Sequence, residues 1–136
     1  MKQPVWILDE LVTALHAMLI AEHGGDSGIR DAGLLAAALA RPQQKLAYAK
    51  SLGLFQLAAA YSFDIARNHA FVDGNKRTAF TVGVLFLEMN GYRMHAAEAE
   101  AAVIFAELAS GKLTETELAQ WFENNCKKHR RSTAPK

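Results

Sequence analysis

Apolar and polar positions recur with a helical period along almost the whole chain. Leu11, Leu15, Met18 and Leu19 repeat at three- and four-residue steps, which predicts a helix from about Leu8 to Glu22. Gly24 and Gly25 close it, as glycine does past a helix C-terminus. Asp31 reads as the N-cap of a helix over Ala32 to Ala40 that stops before Pro42. Ser51 reads as the cap of Leu52 to Arg67, with Leu54, Ala58, Tyr61 and Ile65 on one face. Asn75 to Met89 is apolar nearly all round, the pattern of a helix buried on most sides, and Asn90-Gly91 ends it. Ala96 to Ala109 follows, closed by Gly111. Thr114-Glu115-Thr116-Glu117 is a capping-box pattern that opens a last helix carrying Leu118, Trp121 and Phe122. Sustained period-two alternation is missing, and only Gln43 to Lys50 suits a short hairpin. The expectation is all-α: about six helices, with a polar loop before a buried central helix.

Composition agrees. The chain has 136 residues, of which 51% are hydrophobic and 25 are Ala, the best helix former. One domain over residues 1–129 is expected, followed by a basic, disordered tail over 130–136. One cysteine, Cys126, excludes a disulfide framework and a Cys-based zinc site, and fits a reducing cytoplasm. No apolar run reaches membrane-spanning length, and the start of the chain lacks a signal-peptide pattern. The net charge of +1 hides an asymmetry. Lys127 to Lys136 holds five Lys/Arg and no acid, so the remaining body has ten basic and fourteen acidic residues. Binding of nucleic acid over a broad basic face is therefore not expected.

The chemistry concentrates in Arg67-Asn68-His69-Ala70-Phe71-Val72-Asp73-Gly74-Asn75-Lys76-Arg77-Thr78. A helix N-terminus carries partial positive charge, so Lys76 and Arg77 are unfavourably placed unless an anion sits there. The backbone N–H groups of Gly74, Asn75 and Lys76, with the two cations, form a phosphate cradle on paper. Asp73 is a hard oxygen ligand suited to Mg²⁺ beside phosphates. His69 can take a proton from an attacking hydroxyl near neutral pH. Phe71 is expected to anchor the loop in the core. These residues alone do not choose between ATP and another phosphate, or between acceptors. A plain solvated connection between two helices remains the alternative.

The run His69-Ala70-Phe71-Val72-Asp73-Gly74-Asn75-Lys76-Arg77 resembles the signature loop of the Fic/Doc superfamily, which reads His-Pro-Phe-x-(Asp/Glu)-Gly-Asn-Gly-Arg in its Fic branch. Six of nine positions match: His69, Phe71, Asp73, Gly74, Asn75 and Arg77. Ala70 for Pro and Lys76 for the second Gly are similar to the Doc branch. The turn His23-Gly24-Gly25 through Ile29-Arg30-Asp31 and the Asn90-Gly91 helix end extend the likeness over nearly the whole chain except its basic tail.

The resemblance implies a Fic-type helical bundle acting as the toxin of a type II toxin–antitoxin pair in the cytoplasm. It implies transfer of the γ-phosphate of ATP, with Mg²⁺, to a threonine of elongation factor Tu, which stalls translation. His69 would be the general base, Asp73 the acid that positions Mg²⁺ or phosphate, and Asn75 a phosphate donor. Lys76 and Arg77 would stabilise transferred charge, with Gly74 lending its backbone and Arg67 also reaching phosphate. The alternatives are AMP transfer, as in the Fic branch, and a non-catalytic, antitoxin-binding corepressor. Nucleic acid enters only through the antitoxin.

Self-inhibited Fic proteins carry Ser/Thr-x-x-x-Glu, and no Ser or Thr here is followed four residues later by Glu. Inhibition is thus expected from a disordered antitoxin segment that folds on binding, with Trp6, Leu11 and Leu15 as a candidate groove wall. His16 and His23, seven apart, lack a third ligand at zinc spacing. Lys127 and Lys128 beside Cys126 would act to lower its pKa, but a structural or merely exposed thiol is the expectation.

Overall fold

The computed structural model describes residues 3–129. The basic tail expected over 130–136 lies outside the described residues. Among the described residues, six helices and two short strands follow in order: α1 (Asp9–His23), α2 (Ala32–Tyr48), α3 (Leu54–Asn68), α4 (Asn75–Met89), β1 (Tyr92–Met94), α5 (Glu98–Ser110), α6 (Glu115–Asn125) and β2 (Cys126–Lys128). The all-α expectation holds, with a small sheet added.

Local chemistry sets most boundaries. Asp31 Oδ1 accepts from the Leu34 N–H at 3.0 Å and starts α2. At α6 the capping box is complete: Glu117 N–H donates to Thr114 Oγ1 at 3.1 Å, and Thr114 N–H to Glu117 Oε1 at 2.9 Å. The cap of α3 is Gly53, not Ser51, and the Gly53 N–H is taken up by Gln56 Oε1 at 2.8 Å.

Two expectations are overturned in α2. The helix does not stop before Pro42 but runs on to Tyr48, and no hairpin forms over Gln43 to Lys50. An interior proline costs a helix about 3 kcal/mol. Here its ring is buried in the core. The residues around it are tied down as well. Arg41 bonds Asp64 Oδ1 at 3.2 Å and Glu115 Oε1 at 2.8 Å, and Lys45 bonds Glu115 Oε2 at 2.7 Å. Packing and ion pairs together override the local penalty.

Helices α3 and α4 share the centre. Helix α3 touches α2, α4, α5 and α6, and its Leu57, Ala58, Ala59, Ala60, Tyr61 and Ile65 are buried. Small residues let the two central helices approach. A Cβ on Gly83 of α4 would clash with Ser62 Oγ of α3 and lie 2.8 Å from Phe122 Cζ. Ser62 Oγ is satisfied by the Ala79 carbonyl at 2.7 Å.

The strands β1 and β2 pair antiparallel, Tyr92 with Lys128 and Met94 with Cys126, and join the far end of α4 to the end of α6. This burial pushes the Cys126 thiol up to about 11, with Glu88 adding to it. The net shift is therefore upward despite Lys127 and Lys128: desolvation of the thiolate decides the direction.

Candidate active site

The motif loop leaves α3 at His69, whose backbone is left-handed (φ 51, ψ 50), the one non-glycine with positive φ among the described residues. That conformation costs an L-residue about 1–2 kcal/mol. It turns the chain sharply and leaves the His69 side chain exposed. The carbonyls freed at the helix end are caught by Arg30, whose Nε donates to His69 O at 2.6 Å and whose Nη2 donates to Asn68 O at 3.0 Å.

The next residues are fastened from three sides. The segment between α1 and α2 pairs with the loop through Ile29 and Phe71. Arg30 and Asp31 N–H groups donate to Ala70 O at 2.7 and 3.0 Å, and Val72 N–H to Gly28 O at 3.1 Å. The buried Phe71 ring stacks on His16 of α1, with centroids 3.8 Å apart and planes 9° apart. From α4, the Asn75 amide brackets the Phe71 backbone: Oδ1 accepts its N–H and Nδ2 donates to its carbonyl, both at 3.0 Å.

Asp73 is held at each of its three oxygens. Its Oδ1 accepts from Gly74 N–H at 3.0 Å and its Oδ2 from Asp26 N–H at 3.2 Å, while its carbonyl meets His16 Nε2 at 2.8 Å. The carboxylate remains exposed, with lone pairs to spare. Gly74 caps α4 with φ 76, a backbone that favours glycine, and a Cβ there would meet Ile20 Cδ1 at 3.1 Å.

The start of α4 is bare. It has no side-chain cap and no acid in its first turn. Among the described residues, the N–H groups of Asn75, Lys76 and Arg77 have no acceptor, and Lys76 and Arg77 have no carboxylate partner. These groups line a cleft of about 860 Å³ with His69, Asp73, Phe80 and, from α5, Glu98 and Phe105. Phe80 and Phe105 meet edge to face at 5.3 Å and form its apolar side. A larger cleft of about 1530 Å³ opens at the other end of α4, around Trp6, Leu46 and Met89, and includes none of the motif residues.

The structure thus brings His69, Asp73, Gly74, Asn75, Lys76 and Arg77 to one cleft. Two of the expected site residues make other contacts in the structure. Arg67 is not among the cleft residues: its guanidinium lies over the Phe63 ring, 5.4 Å from the centroid, and against Gly111. Its place is in the packing of α3 against the α5–α6 turn. Asn75 is buried and both ends of its amide bind loop backbone, so its visible work is to hold the loop's shape. Sequence reasoning missed His16, Arg30 and the Asp26 N–H. All three bond to main chain or donate from it, and such partners leave no complementary side-chain pattern to read.

The donor set fits a magnesium-bound polyphosphate. Three free N–H groups and two cations suit phosphate oxygens. A single carboxylate suits Mg²⁺, which keeps waters and takes one or two carboxylates beside phosphates. Among the described residues, no group of three or more His, Cys, Asp or Glu could hold a metal by itself. No helix there is long and apolar enough to cross a membrane.

Residues 6–87 match the model of the Fic/DOC family. The chain is similar to the protein kinase doc of Escherichia phage P1, 35% identical over 113 residues that cover 83% of this chain and 89% of that protein. It is also similar to the toxin Doc of Mycolicibacterium smegmatis, 48% identical over 77 residues, which are 54% of this chain and 57% of that protein.

Proposed function

The chain belongs to the Fic/Doc family, and we propose that it is a toxin of that family that transfers the γ-phosphoryl group of ATP to a threonine hydroxyl of a translation factor, elongation factor Tu. The observation that carries this reading is the bare start of α4, where Lys76 and Arg77 stand without acids beside free N–H groups. A relative that bears the name protein kinase supports a phosphoryl rather than a nucleotidyl transfer. Lys76 supports it too, because it adds bulk and charge where the Fic signature has glycine.

His69 accepts the proton of the threonine hydroxyl as that oxygen bonds the γ-phosphorus and the bond to the β-phosphate oxygen breaks. Lys76 and Arg77 balance charge on the phosphoryl oxygens, and the N–H groups of Asn75 and Lys76 orient them. Mg²⁺ at Asp73 would supply further neutralisation of phosphate charge. Asn75 keeps the loop in the shape that presents these groups, and Arg67 is left out of the reacting set.

An antitoxin partner fits the outer face of α1. Leu8, just ahead of the helix, Leu11 and Met18 are exposed on it, Leu8 and Met18 at 69% and 65%. Such a stripe suits an amphipathic segment that folds on docking. Trp6 and Leu15 are half-buried in the core instead, so they contribute an edge rather than a wall.

The test is a paired labelling assay in a bacterial translation extract with Mg²⁺ and either α- or γ-labelled ATP, with His69→Ala as control. Label from the γ position only, on a band of the size of elongation factor Tu and absent with the variant, is expected. Label from the α position would make the protein an AMP transferase. No label from either would overturn the transferase reading.

A further inference from the structure

We propose that His16 of α1 is a positioning residue that orients the Asp73 carboxylate through the Asp73–Gly74 peptide. This rests on the reading of Asp73 as the acid that places Mg²⁺ or phosphate. His16 is 3% exposed, the one buried histidine among the described residues, and the transfer steps do not use it.

Its position follows from two contacts with the motif loop. The ring lies flat on Phe71 at 3.8 Å, which fixes its plane. In that plane, Nε2 lies 2.8 Å from the Asp73 carbonyl oxygen. A carbonyl only accepts, so Nε2 carries a proton and donates it. The same peptide unit continues on its other side: the Gly74 N–H donates to Asp73 Oδ1 at 3.0 Å. The order is therefore imidazole N–H, peptide C=O, peptide N–H, carboxylate. Hydrogen bonds in series polarise one another, and here they also fix a plane.

Rotation of the 73–74 peptide would break both bonds at once. It would release Oδ1 and shift Gly74, the cap from which the free N–H groups of α4 begin. The second oxygen, Oδ2, is held independently by the Asp26 N–H, beneath which Gly25 leaves room: a Cβ there would come within 2.9 Å of Oδ2. His16 thus governs one of the two restraints on the carboxylate and does so from outside the cleft.

Three measurements test this. The ring ¹⁵N spectrum of the nucleotide-free protein should show His16 protonated at Nε2. Amide exchange should then compare His16→Leu, which removes the donor, with His16→Gln, which restores an N–H at that reach. In His16→Leu the Gly74 N–H should exchange roughly tenfold faster, the weight of one hydrogen bond. Val82 and Phe86 in the middle of α4 should not change. The Mg²⁺ concentration for half-maximal γ-label transfer should rise severalfold in His16→Leu and return with His16→Gln. Should His16→Leu not fold, His16→Met takes its place.

A ring protonated only at Nδ1, an unmoved Gly74 amide, or equal behaviour of the donor-less and Gln variants would overturn the proposal. The first two measurements use nucleotide-free protein. A native protein that transfers no phosphoryl group would therefore defeat the functional reading while these still decide on His16.

Discussion

Two clusters of charge sit on this helical core, and they are wired in opposite ways. Around α2, α3 and α6, Arg41, Lys45, Asp64 and Glu115 bond to one another and are each half-buried. Glu115 lies in the first turn of its helix and Lys45 in the last turn of its own, both favoured by the helix dipoles. Burial works against the Arg41 charge, yet the Glu115 hydrogen bond and the charges of Asp64 and Glu115 outweigh it and raise its pKa. At the motif loop the bonds go to backbone instead. Arg30, His16 and Asn75 spend their donors on carbonyls, while His69, Lys76 and Arg77 present free heads to the cleft. Cations at the start of α4 even oppose its dipole. One cluster satisfies itself and stabilises the fold. The other leaves its charges unmatched, which makes sense when an anionic ligand completes it.

Removing a member of each cluster should therefore have different signatures. His69→Ala should lower transfer by about 10²–10⁴-fold, the usual weight of a general base, without lowering the melting temperature, because it touches no packing. His69→Gly should be as inactive and slightly more stable, since glycine relieves the left-handed backbone. A melting temperature that drops with the activity would make His69 structural.

Asn75→Ala should strike both properties. It strands two backbone groups of Phe71, and each orphan costs about 1–3 kcal/mol, a loss that urea denaturation would read. Retained stability would mean that water replaces the amide.

Arg41→Met should cost about 1–2 kcal/mol, between the values for exposed and fully buried pairs, with transfer per folded molecule unchanged. Its pH dependence has a defined sign. Burial, and then Glu115, raise the Asp64 pKa, while Arg41 and Lys45 lower it. A raised carboxyl pKa gives stability that is full below the ordinary Asp range and lost as pH rises through the folded value. Without Arg41 that value climbs further. The deficit should be greatest at neutral pH and shrink as pH falls through the Asp64 titration. A deficit that grows in acid would contradict this.

Lys76→Glu moves stability little and separates the two properties most sharply. Reversing charge in the first turn of α4 should stabilise the fold by about 0.3–1 kcal/mol and abolish transfer. Unchanged transfer would remove Lys76 from the phosphate site.

The same contrast explains what was legible in the sequence. Helix α4 was readable end to end, because Gly74 and Asn90-Gly91 punctuate an unbroken apolar run. The cleft residues His69, Asp73, Lys76 and Arg77 were readable because free polar heads in a short loop look anomalous. Groups that satisfy one another over distance were not. The extension of α2 past Pro42 depends on Glu115, some seventy positions away. The β1–β2 pairing rests on three residues a side, too short for any period. His16 and Arg30 serve backbone atoms, and Arg67 reads as a phosphate ligand until Phe63 and Gly111 are seen beside it.

The central claim is that the bare start of α4 receives phosphate. Amide ¹H–¹⁵N shifts followed during titration with ATP and Mg²⁺ test it most directly. The account predicts that the largest changes fall on Gly74, Asn75, Lys76 and Arg77, and that they vanish in Lys76→Glu. Changes confined to the cleft around Trp6, Leu46 and Met89, or none at all, would contradict it.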